Sequence, residues 1–270
     1  MSLMRVEHIG PALLYCGDAF DVLPDISGAN AVLTDMPYGS TCLKFDYAVD
    51  LDGFWAAALP AAEENAAFCL FADMRFALRL INSQPKLFRY DIVWEKTRAT
   101  GFLDAKRRPM RAHEFICVFS RKSPVFNPQM LPGEPYVKFE KNPNSRMAHY
   151  NRHRRTRHNG VYGAMRYPRD VVKFASLTFS EHPTQKPVEL MEWLVRSYSC
   201  AGDLIVDPYM GSGSTGVAAV SNGRRFVGVE LETKFFDIAC RNLERAVRAA
   251  QRERARALPG VLPMAAGGEA

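Results

Sequence analysis

One group of residues able to do chemistry lies at and after Leu204–Asp207, an apolar segment that predicts a buried strand ending in an acid. A glycine-rich turn comes next, and Gly211, Gly213 and Gly216 satisfy G-x-G-x-x-G. Such glycines let the backbone approach a ligand, and the helix that follows favours polar groups at its N-terminus. The next predicted strand ends at Glu230, 19 residues after Gly211, where a carboxylate can accept hydrogen bonds from ribose hydroxyls. NAD and S-adenosylmethionine both carry an adenosine ribose, so both are open at this point.

A second acid follows another apolar strand. Asp35, Met36, Pro37 and Tyr38 come directly after Ala31–Thr34. The carboxylate and a backbone carbonyl next to Pro37 could accept the two N–H bonds of a planar amine while the Tyr38 ring stacks on its face. A dehydrogenase has no use for such a grip. The motif therefore favours a substrate with an aromatic NH₂ group.

Short apolar segments that alternate with amphipathic ones must position these groups. This alternation is typical of a doubly wound α/β sheet, whose strands are buried on both faces. The predicted strands are Leu13–Cys16, Ala31–Thr34, Ala67–Phe71, Tyr90–Trp94, Phe115–Phe119, Leu204–Val206 and Phe226–Val229. The predicted helices are Leu51–Glu64, Asp73–Ile81, Val188–Ser197, Ser214–Ser221 and Lys234–Ala249, with a frayed tail from about Arg254. Between Ser120 and Pro183 the pattern is lost, which predicts an insertion that carries a partner surface.

The positive charge is concentrated in one segment. The chain has 35 basic and 29 acidic residues, and no acid lies between Glu140 and Asp170. Eight cations fall in that stretch, which leaves 27 basic residues against the 29 acidic ones. A basic stripe mixed with histidine and tyrosine suits a polyanion, because each phosphate contact adds affinity. We expect this segment to bind nucleic acid.

The composition excludes several classes of protein. With 270 residues, 47% of them hydrophobic and 24% charged, the chain is neither fibrous nor disordered. No apolar run reaches the ~20 residues that a membrane span requires. The six cysteines are scattered singly, without zinc-ligand spacing or a disulfide framework, so we expect reduced thiols, no metal and a cytoplasmic location.

At these motifs the sequence resembles the S-adenosylmethionine-dependent DNA amino-methyltransferases, which modify the exocyclic amine of adenine or cytosine. The Asp/Asn/Ser-Pro-Pro-Tyr motif of the family stands here as Asp35–Tyr38, with Met36 in place of the first proline. The stretch that precedes the cofactor strand in the family is matched by His182–Pro187. The catalytic motif precedes the basic segment and the cofactor motif, an order that resembles the circularly permuted β group.

The resemblance implies a fold, a cofactor and a set of site residues. The fold is a doubly wound, mostly parallel, seven-stranded Rossmann-like methyltransferase sheet with a basic target-recognition insertion. The domains are a catalytic half at 1–120, the insertion at 121–180, a cofactor-binding half at 181–250 and a tail at 251–270. The implied catalytic residues are Asp35, Pro37 and Tyr38. S-adenosyl-L-methionine would be held by Asp18, Thr184, Lys186, Asp207, Gly211, Gly213 and Glu230.

The expected partner is double-stranded DNA, with a second copy of the chain as a candidate partner and no membrane contact. The residues expected to bind DNA are Lys106, Arg107, Arg108, Arg111, Arg152, Arg154, Arg155 and Arg157.

For His113 and His182 we expect structural roles, because the chemistry needs no base before attack. The predicted activity is methylation of adenine N6 after base flipping. Cytosine N4, a nicotinamide dehydrogenase and a non-catalytic DNA-binding module are the alternatives.

Overall fold

Nine strands in the described part of the chain form one mixed sheet with helices on both faces. The computed structural model describes residues 5–39, 49–138, 160–176 and 185–257. The sheet strands are β1 (Arg5–Ile9), β2 (Ala12–Cys16), β3 (Ala29–Thr34), β4 (Ala62–Ala72), β5 (Phe88–Thr100), β6 (Arg111–Phe119), β11 (Val171–Phe174), β12 (Leu204–Asp207) and β13 (Arg225–Glu230). The helices are α1 (Ala19–Val22), α2 (Leu51–Ala61), α3 (Met74–Ser83), α4 (Val188–Tyr198), α5 (Ser214–Ser221) and α6 (Thr233–Ala257).

The strand order is β1-β2-β13-β12-β3-β4-β6-β5-β11. The strands from β2 to β4 in this order are all parallel, whereas β6 is antiparallel to both β4 and β5. The first half of β6 therefore lies beside the carboxyl-terminal halves of β3, β4 and β5, along the side of the sheet where the parallel strands end. Ligands of open α/β sheets bind at the carboxyl ends of the parallel strands, so the site is expected there.

Each face of the sheet has its own hydrophobic core. Buried residues of α4, α5 and α6 pack on one face, where Leu194, Ala218 and Phe236 are fully buried. Residues of α1, α2 and α3 pack on the other, around Phe54 and Trp55. Strands buried on both faces need apolar residues there, which is why the central strands contain the continuous apolar runs Ala31–Leu33, Ala66–Ala72 and Leu204–Val206.

All seven predicted strands are present and the doubly wound class is confirmed, but the strand count of seven is wrong. The two additional strands are β1 and β11, which lie at the two edges of the sheet. Both carry exposed residues, because an edge strand contacts solvent. β1 mixes charged and apolar residues and β11 is only four residues long, so neither gave a buried-strand signal. In the described part of the chain, no helix is both long and apolar enough to cross a membrane.

Two predicted helix ends are also wrong. The helix expected at Leu51–Glu64 stops at Ala61, where Pro60 removes one helical donor and Ala62 pairs with Ala29 in the sheet. The expected tail is helical as far as Ala257. Arginines in the last turn of α6 interact favourably with the negative end of the helix dipole, which helps to extend the helix.

The chain divides into two units, the first comprising residues 1–127 and 170–270 and the second residues 128–169. The second unit falls within the residues 121–180 predicted as an insertion, and the role of that segment stays a prediction. In the second unit, β7 (Leu131–Pro132) pairs with β10 (Met165–Arg166), and β8 (Tyr136–Lys138) pairs with β9 (Gly160–Tyr162). Arg166 donates to the carbonyls of Gly163 and Glu134 and lies over the Tyr136 ring at 4.6 Å.

Candidate functional site

A cavity of about 360 Å³ opens at the carboxyl ends of β3, β4, β5, β12 and β13. Both predicted motifs line it, because β3 lies beside β12 and each is followed by its motif. Asp35, Pro37 and Tyr38 form one side of the cavity, and Gly211 and Glu230 lie among the residues of the other. The structure thus brings together two motifs that are more than 170 residues apart in the sequence.

Asp35 comes directly after β3, and both of its carboxylate oxygens accept hydrogen bonds from side chains of the cavity. The Tyr38 hydroxyl donates to its Oδ1 at 2.6 Å, and Lys186 Nζ donates to its Oδ2. The Tyr38 ring stacks on Phe76, with centroids 4.8 Å apart and an interplanar angle of 25°. Both oxygens of Asp35 therefore already accept a hydrogen bond, and the tyrosine ring has an aromatic support behind it.

Lys186 joins Asp35 to a second buried acid. Its Nζ lies 3.4 Å from Glu114 Oε2, and Glu114 Oε1 in turn pairs with Lys96. Lys186 also lies over the Phe71 ring at 4.9 Å. Two cations and two anions thus alternate in a line, so the network carries no net charge. This balance is what allows four charges to share a site largely withdrawn from water.

The ionisation of this network follows from burial and charge together. Burial raises the pKa of Asp35, against the opposing effect of Lys186, which lowers it. Burial acts to lower the pKa of Lys186, but the two carboxylates outweigh it and the pKa is raised. For Glu114, burial is outweighed by the two lysines, and its pKa is lowered. Lys186 and Glu114 therefore stay charged at neutral pH.

On the other side of the cavity, Asp207 ends β12 and is fully enclosed. Its oxygens accept hydrogen bonds from the Thr34 hydroxyl at 2.6 Å, the Thr215 hydroxyl at 2.5 Å and the Tyr209 backbone N–H at 3.2 Å. Burial raises its pKa to about 6. Three donors on this carboxylate tie β12 to β3 and to the start of α5, so the side chain fixes the shape of the glycine-rich turn.

Glu230 ends β13 and faces the turn. Its Oε2 accepts from the Gly211 N–H at 3.0 Å and its Oε1 from the Glu232 N–H at 2.8 Å. Burial raises its pKa to about 7. Each oxygen accepts only one of these two bonds and keeps capacity for another, which matches the need of a ligand with two neighbouring hydroxyls.

The backbone of the glycine-rich turn packs closely against α6, which requires glycine at Gly213. Gly213 has φ of +81°, and a Cβ there would lie 2.8 Å from Leu243 Cδ1, so a side chain would be both strained and crowded. Ser212 lines the cavity, and its buried Oγ has no hydrogen-bond partner among the described residues. This orphaned hydroxyl and the spare acceptors of Glu230 are the groups that a polar cofactor would satisfy.

The other predicted cofactor residues have different outcomes. Asp18 lines the cavity but uses Oδ1 to cap α1, accepting from Phe20 N–H at 2.9 Å. Lys186 lines the cavity and forms ion pairs with Asp35 and Glu114. Thr184 and His182 lie outside the described residues. His113 lines the cavity and packs edge-on against Phe115 at 5.2 Å.

The predicted DNA-binding residues fall into two groups. Lys106, Arg107, Arg108 and Arg111 are exposed on and beside the loop between β5 and β6. Arg108 pairs with Asp104 at 2.7 Å. Arg152, Arg154, Arg155 and Arg157 lie outside the described residues, so their assignment stays a prediction.

Sequence reasoning missed Lys96 and Glu114. Both flank short apolar segments, since Lys96 follows Ile92–Trp94 by two residues and Glu114 directly precedes Phe115–Phe119, and a charged residue beside such a segment was the signal that could have found them. Their pairing depends on the β5–β6 hairpin, in which Glu95 lies opposite His113 and Trp94 opposite Glu114. Lys186 was predicted as a cofactor-binding residue; the structure shows its ion pairs with Asp35 and Glu114, and its contact with a cofactor stays a prediction.

Comparison with known proteins places the sequence in context. Residues 29–241 match the N6/N4 methyltransferase family, described as "DNA methylase". The DNA adenine methyltransferase YhdJ of Escherichia coli (strain K12) is 35% identical over 78 residues, which are 29% of this chain and 26% of that protein. The chain spans about a quarter of the length of the first curated relatives that it matches.

Two solved structures have the same fold. The M1.HpyAVI–SAM complex has a TM-score of 0.58 at 23% identity, covering 85% of this chain and 98% of that one. The PvuII DNA methyltransferase, titled as cytosine-N4-specific, has a TM-score of 0.62 at 14% identity, covering 90% of this chain and 93% of that one. At these identities the likeness establishes the fold alone.

Proposed function

This chain belongs to the N6/N4 DNA methylase family, and we propose that it transfers a methyl group from S-adenosylmethionine to the exocyclic N6 of adenine in duplex DNA. The observation that carries the proposal is the juxtaposition of Asp35 and Tyr38 with the glycine-rich turn in one cavity. An amine held at Asp35 would face a cofactor bound at Gly211 and Glu230. The family match argues against the nicotinamide dehydrogenase.

The residues on the cofactor side fit S-adenosylmethionine. Glu230 would accept hydrogen bonds from the ribose hydroxyls, Ser212 would satisfy its orphaned hydroxyl, and Asp18 lies within reach of the same space. When bound, the cofactor supplies an electrophilic methyl group on a sulfonium sulfur. Asp207 acts indirectly, because its three hydrogen bonds hold the turn in the shape that admits the ligand.

On the other side, the target base would leave the duplex and stack on Tyr38, whose ring is supported by Phe76. Its amine would donate to Asp35 and to the backbone carbonyl next to Pro37. These bonds turn the nitrogen lone pair out of ring conjugation and towards the methyl group. As the N–C bond forms and the S–C bond breaks, positive charge grows on nitrogen and Asp35 stabilises it. The proton then leaves to water.

Each Asp35 oxygen accepts one hydrogen bond and keeps capacity for another, but Lys186 competes with the amine for Oδ2. Lys186 has an alternative acceptor in Glu114 Oε2, which lies 3.4 Å from its Nζ and has no hydrogen-bond partner among the described residues. A shift of Lys186 towards Glu114 would free Asp35 Oδ2 without leaving the lysine uncompensated. Glu114 is therefore a positioning residue in this proposal, acting through Lys186.

Cytosine N4 is the second candidate target, because the same grip suits its amine and a cytosine-N4-specific enzyme shares the fold. The test is to incubate the protein with mixed-sequence duplex DNA and S-adenosylmethionine, then to quantify methylated nucleosides by mass spectrometry. We expect N6-methyladenine. Asp35→Ala should abolish it while cofactor binding remains, whereas Asp25→Ala, at an exposed acid that is not among the cavity-lining residues, should leave it unchanged.

N4-methylcytosine as the only product would replace the adenine assignment. No methylated base, or full turnover by Asp35→Ala, would refute the proposed chemistry.

A further inference from the structure

The loop that joins β5 to β6 carries two large apolar side chains that are almost entirely in solvent. Phe102 is 78% exposed and Leu103 is 99% exposed. Single exposed apolar residues are ordinary, but two adjacent ones at this level of exposure on one loop are not what folding alone would retain. They contribute almost nothing to either hydrophobic core, so their exposure calls for an explanation outside the fold.

The loop is ordered by its own hydrogen bonds. Asp104 N–H donates to Gly101 O at 3.1 Å, and Ala105 N–H donates to Phe102 O at 3.0 Å. Two further N–H groups, of Arg107 and Arg108, donate to Asp104 O at 2.8 and 3.0 Å. The turn begins at Gly101 with φ of +88°, a conformation that glycine adopts without strain. This tight turn keeps the Phe102 and Leu103 side chains exposed to solvent. A preformed turn lowers the conformational entropy lost when the two side chains insert into a partner.

The surroundings of the pair are strongly basic. From Thr97 to Arg111 the chain has five cations and one acid. That acid, Asp104, is paired with Arg108 at 2.7 Å. A polyanion therefore fits this surface, whereas a second copy of the same loop would bring like charges together. An apolar tip flanked in the sequence by four arginines and one lysine matches a nucleic acid duplex, with phosphates outside and stacked bases within.

The loop also stands at the rim of the cavity. Thr100 before it and Arg111 after it both line the cavity that holds Asp35 and Tyr38. A duplex resting on the basic loop would lie against the opening through which a target base must enter. The apolar tip would then be close to the base pair that opens.

We infer that Phe102 and Leu103 insert into the DNA duplex beside the target and stabilise the opened base pair, while the neighbouring cations hold the phosphates. This inference rests on the proposed function, because it takes DNA as the substrate. Apolar side chains that enter a base step unstack it and exchange base stacking for protein contact. The pair would thereby offset part of the cost of bringing the base to Tyr38.

The test separates the role of the apolar pair from that of the charges. Binding of the full chain is measured by fluorescence anisotropy on two labelled duplexes, one fully paired and one with a single mismatched pair. A mismatch is already easier to open, so a protein that opens the duplex should prefer it, here by roughly tenfold. The F102A/L103A variant should lose that preference and keep the parent's dependence on salt.

Two control variants complete the design. K106A/R107A should show the reverse pattern, with the mismatch preference kept and the salt slope reduced by about 0.9 for each lost phosphate contact. Leu78→Ala removes an apolar side chain that is 55% exposed on α3 and should change neither property. Because all these side chains are exposed, the melting temperature of each variant should match that of the parent.

Retention of the parent's mismatch preference by F102A/L103A would overturn the inference and leave the proposed methylation intact. Dissociation of a parent dimer by the same variant, seen in sedimentation velocity, would also overturn it and assign the loop to contact between copies. If the parent binds neither duplex, the DNA substrate fails and the inference fails with it.

Discussion

The pKa of Glu230 predicts how cofactor binding depends on pH. Burial raises this pKa to about 7, and the carboxylate is the acceptor that we assign to the ribose hydroxyls. Only the ionised form accepts from Gly211, Glu232 and the ligand together. Affinity should therefore follow the ionised fraction, which is about 0.9 at pH 8 and about 0.1 at pH 6 for a pKa near 7. The apparent Kd should rise about tenfold between these two pH values.

The measurement is calorimetric titration of the protein with S-adenosylmethionine at a series of pH values, for the parent and for Glu230→Gln. The amino group of the ligand itself titrates near pH 8, but this contribution is common to both proteins and cancels in the ratio of their Kd values. We expect this ratio to change about tenfold from pH 8 to pH 6. A ratio that is the same at both pH values would refute the assigned role of Glu230.

Stability gives an independent control, because it should move in the opposite direction. A carboxyl group whose pKa is higher in the folded state than in the unfolded state binds more protons when folded. For Glu230 the shift from 4.5 to about 7 corresponds to about 3 kcal/mol, present below pH 4.5 and lost as the pH rises through 7. The contribution of Glu230 to the free energy of unfolding is the difference between the parent and Glu230→Gln. This difference should increase in favour of the parent on acidification, while the affinity of the parent for the cofactor falls. Weaker binding at pH 6 could then not be ascribed to unfolding.

Three further predictions concern single residues. Glu114→Gln removes the charged acceptor towards which Lys186 would move, so kcat should fall roughly 10- to 100-fold while the KM for DNA stays near the parent's; Glu114→Asp should recover part of the loss, and an unchanged kcat would refute the positioning role. Tyr38→Phe and Tyr38→Trp keep the stacking ring but lose the 2.6 Å hydrogen bond to Asp35, so both should lose about tenfold in kcat, whereas Tyr38→Ala should in addition lose ~1–3 kcal/mol of binding to a mismatched target; equal losses in all three would assign the whole effect to the hydroxyl. Gly228→Ala would bring a Cβ into collision with the Met210 sulfur and the Phe226 ring, so the free energy of unfolding should fall by about 1–3 kcal/mol in denaturant titration, and parent-like stability would show that the packing relaxes freely.

Local patterns in the sequence determined most of the fold. Central strands such as β3, β4 and β12 contain uninterrupted apolar runs because both of their faces are buried there, and all seven predicted strands are present. The edge strands β1 and β11 were not predicted, because β1 alternates charged and apolar residues without a buried run and β11 is only four residues long. The end of α6 was misplaced for a related reason, since an exposed charged helix and a charged tail have similar sequences.

The two chemical motifs were also evident in the sequence, because each consists of neighbouring residues. Asp35 and Tyr38 are three positions apart, and Gly211 and Gly213 are two apart. A short peptide segment fixes the relative placement of such residues almost alone. What each motif contacts across the cavity was not visible in the same way.

Tertiary structure alone decided the partners of the buried charges. Asp207 accepts from Thr34, 173 residues away, and Lys186 meets Asp35 across 151 residues. Glu114 reaches this network because β6 runs against its neighbours and brings its first half to the carboxyl edge of the parallel strands. No local signal encodes such contacts, since strand direction and neighbour order are set by how the whole sheet packs. The physical reason is that buried charges are stabilised only by the specific groups that the fold brings within a few ångströms of them.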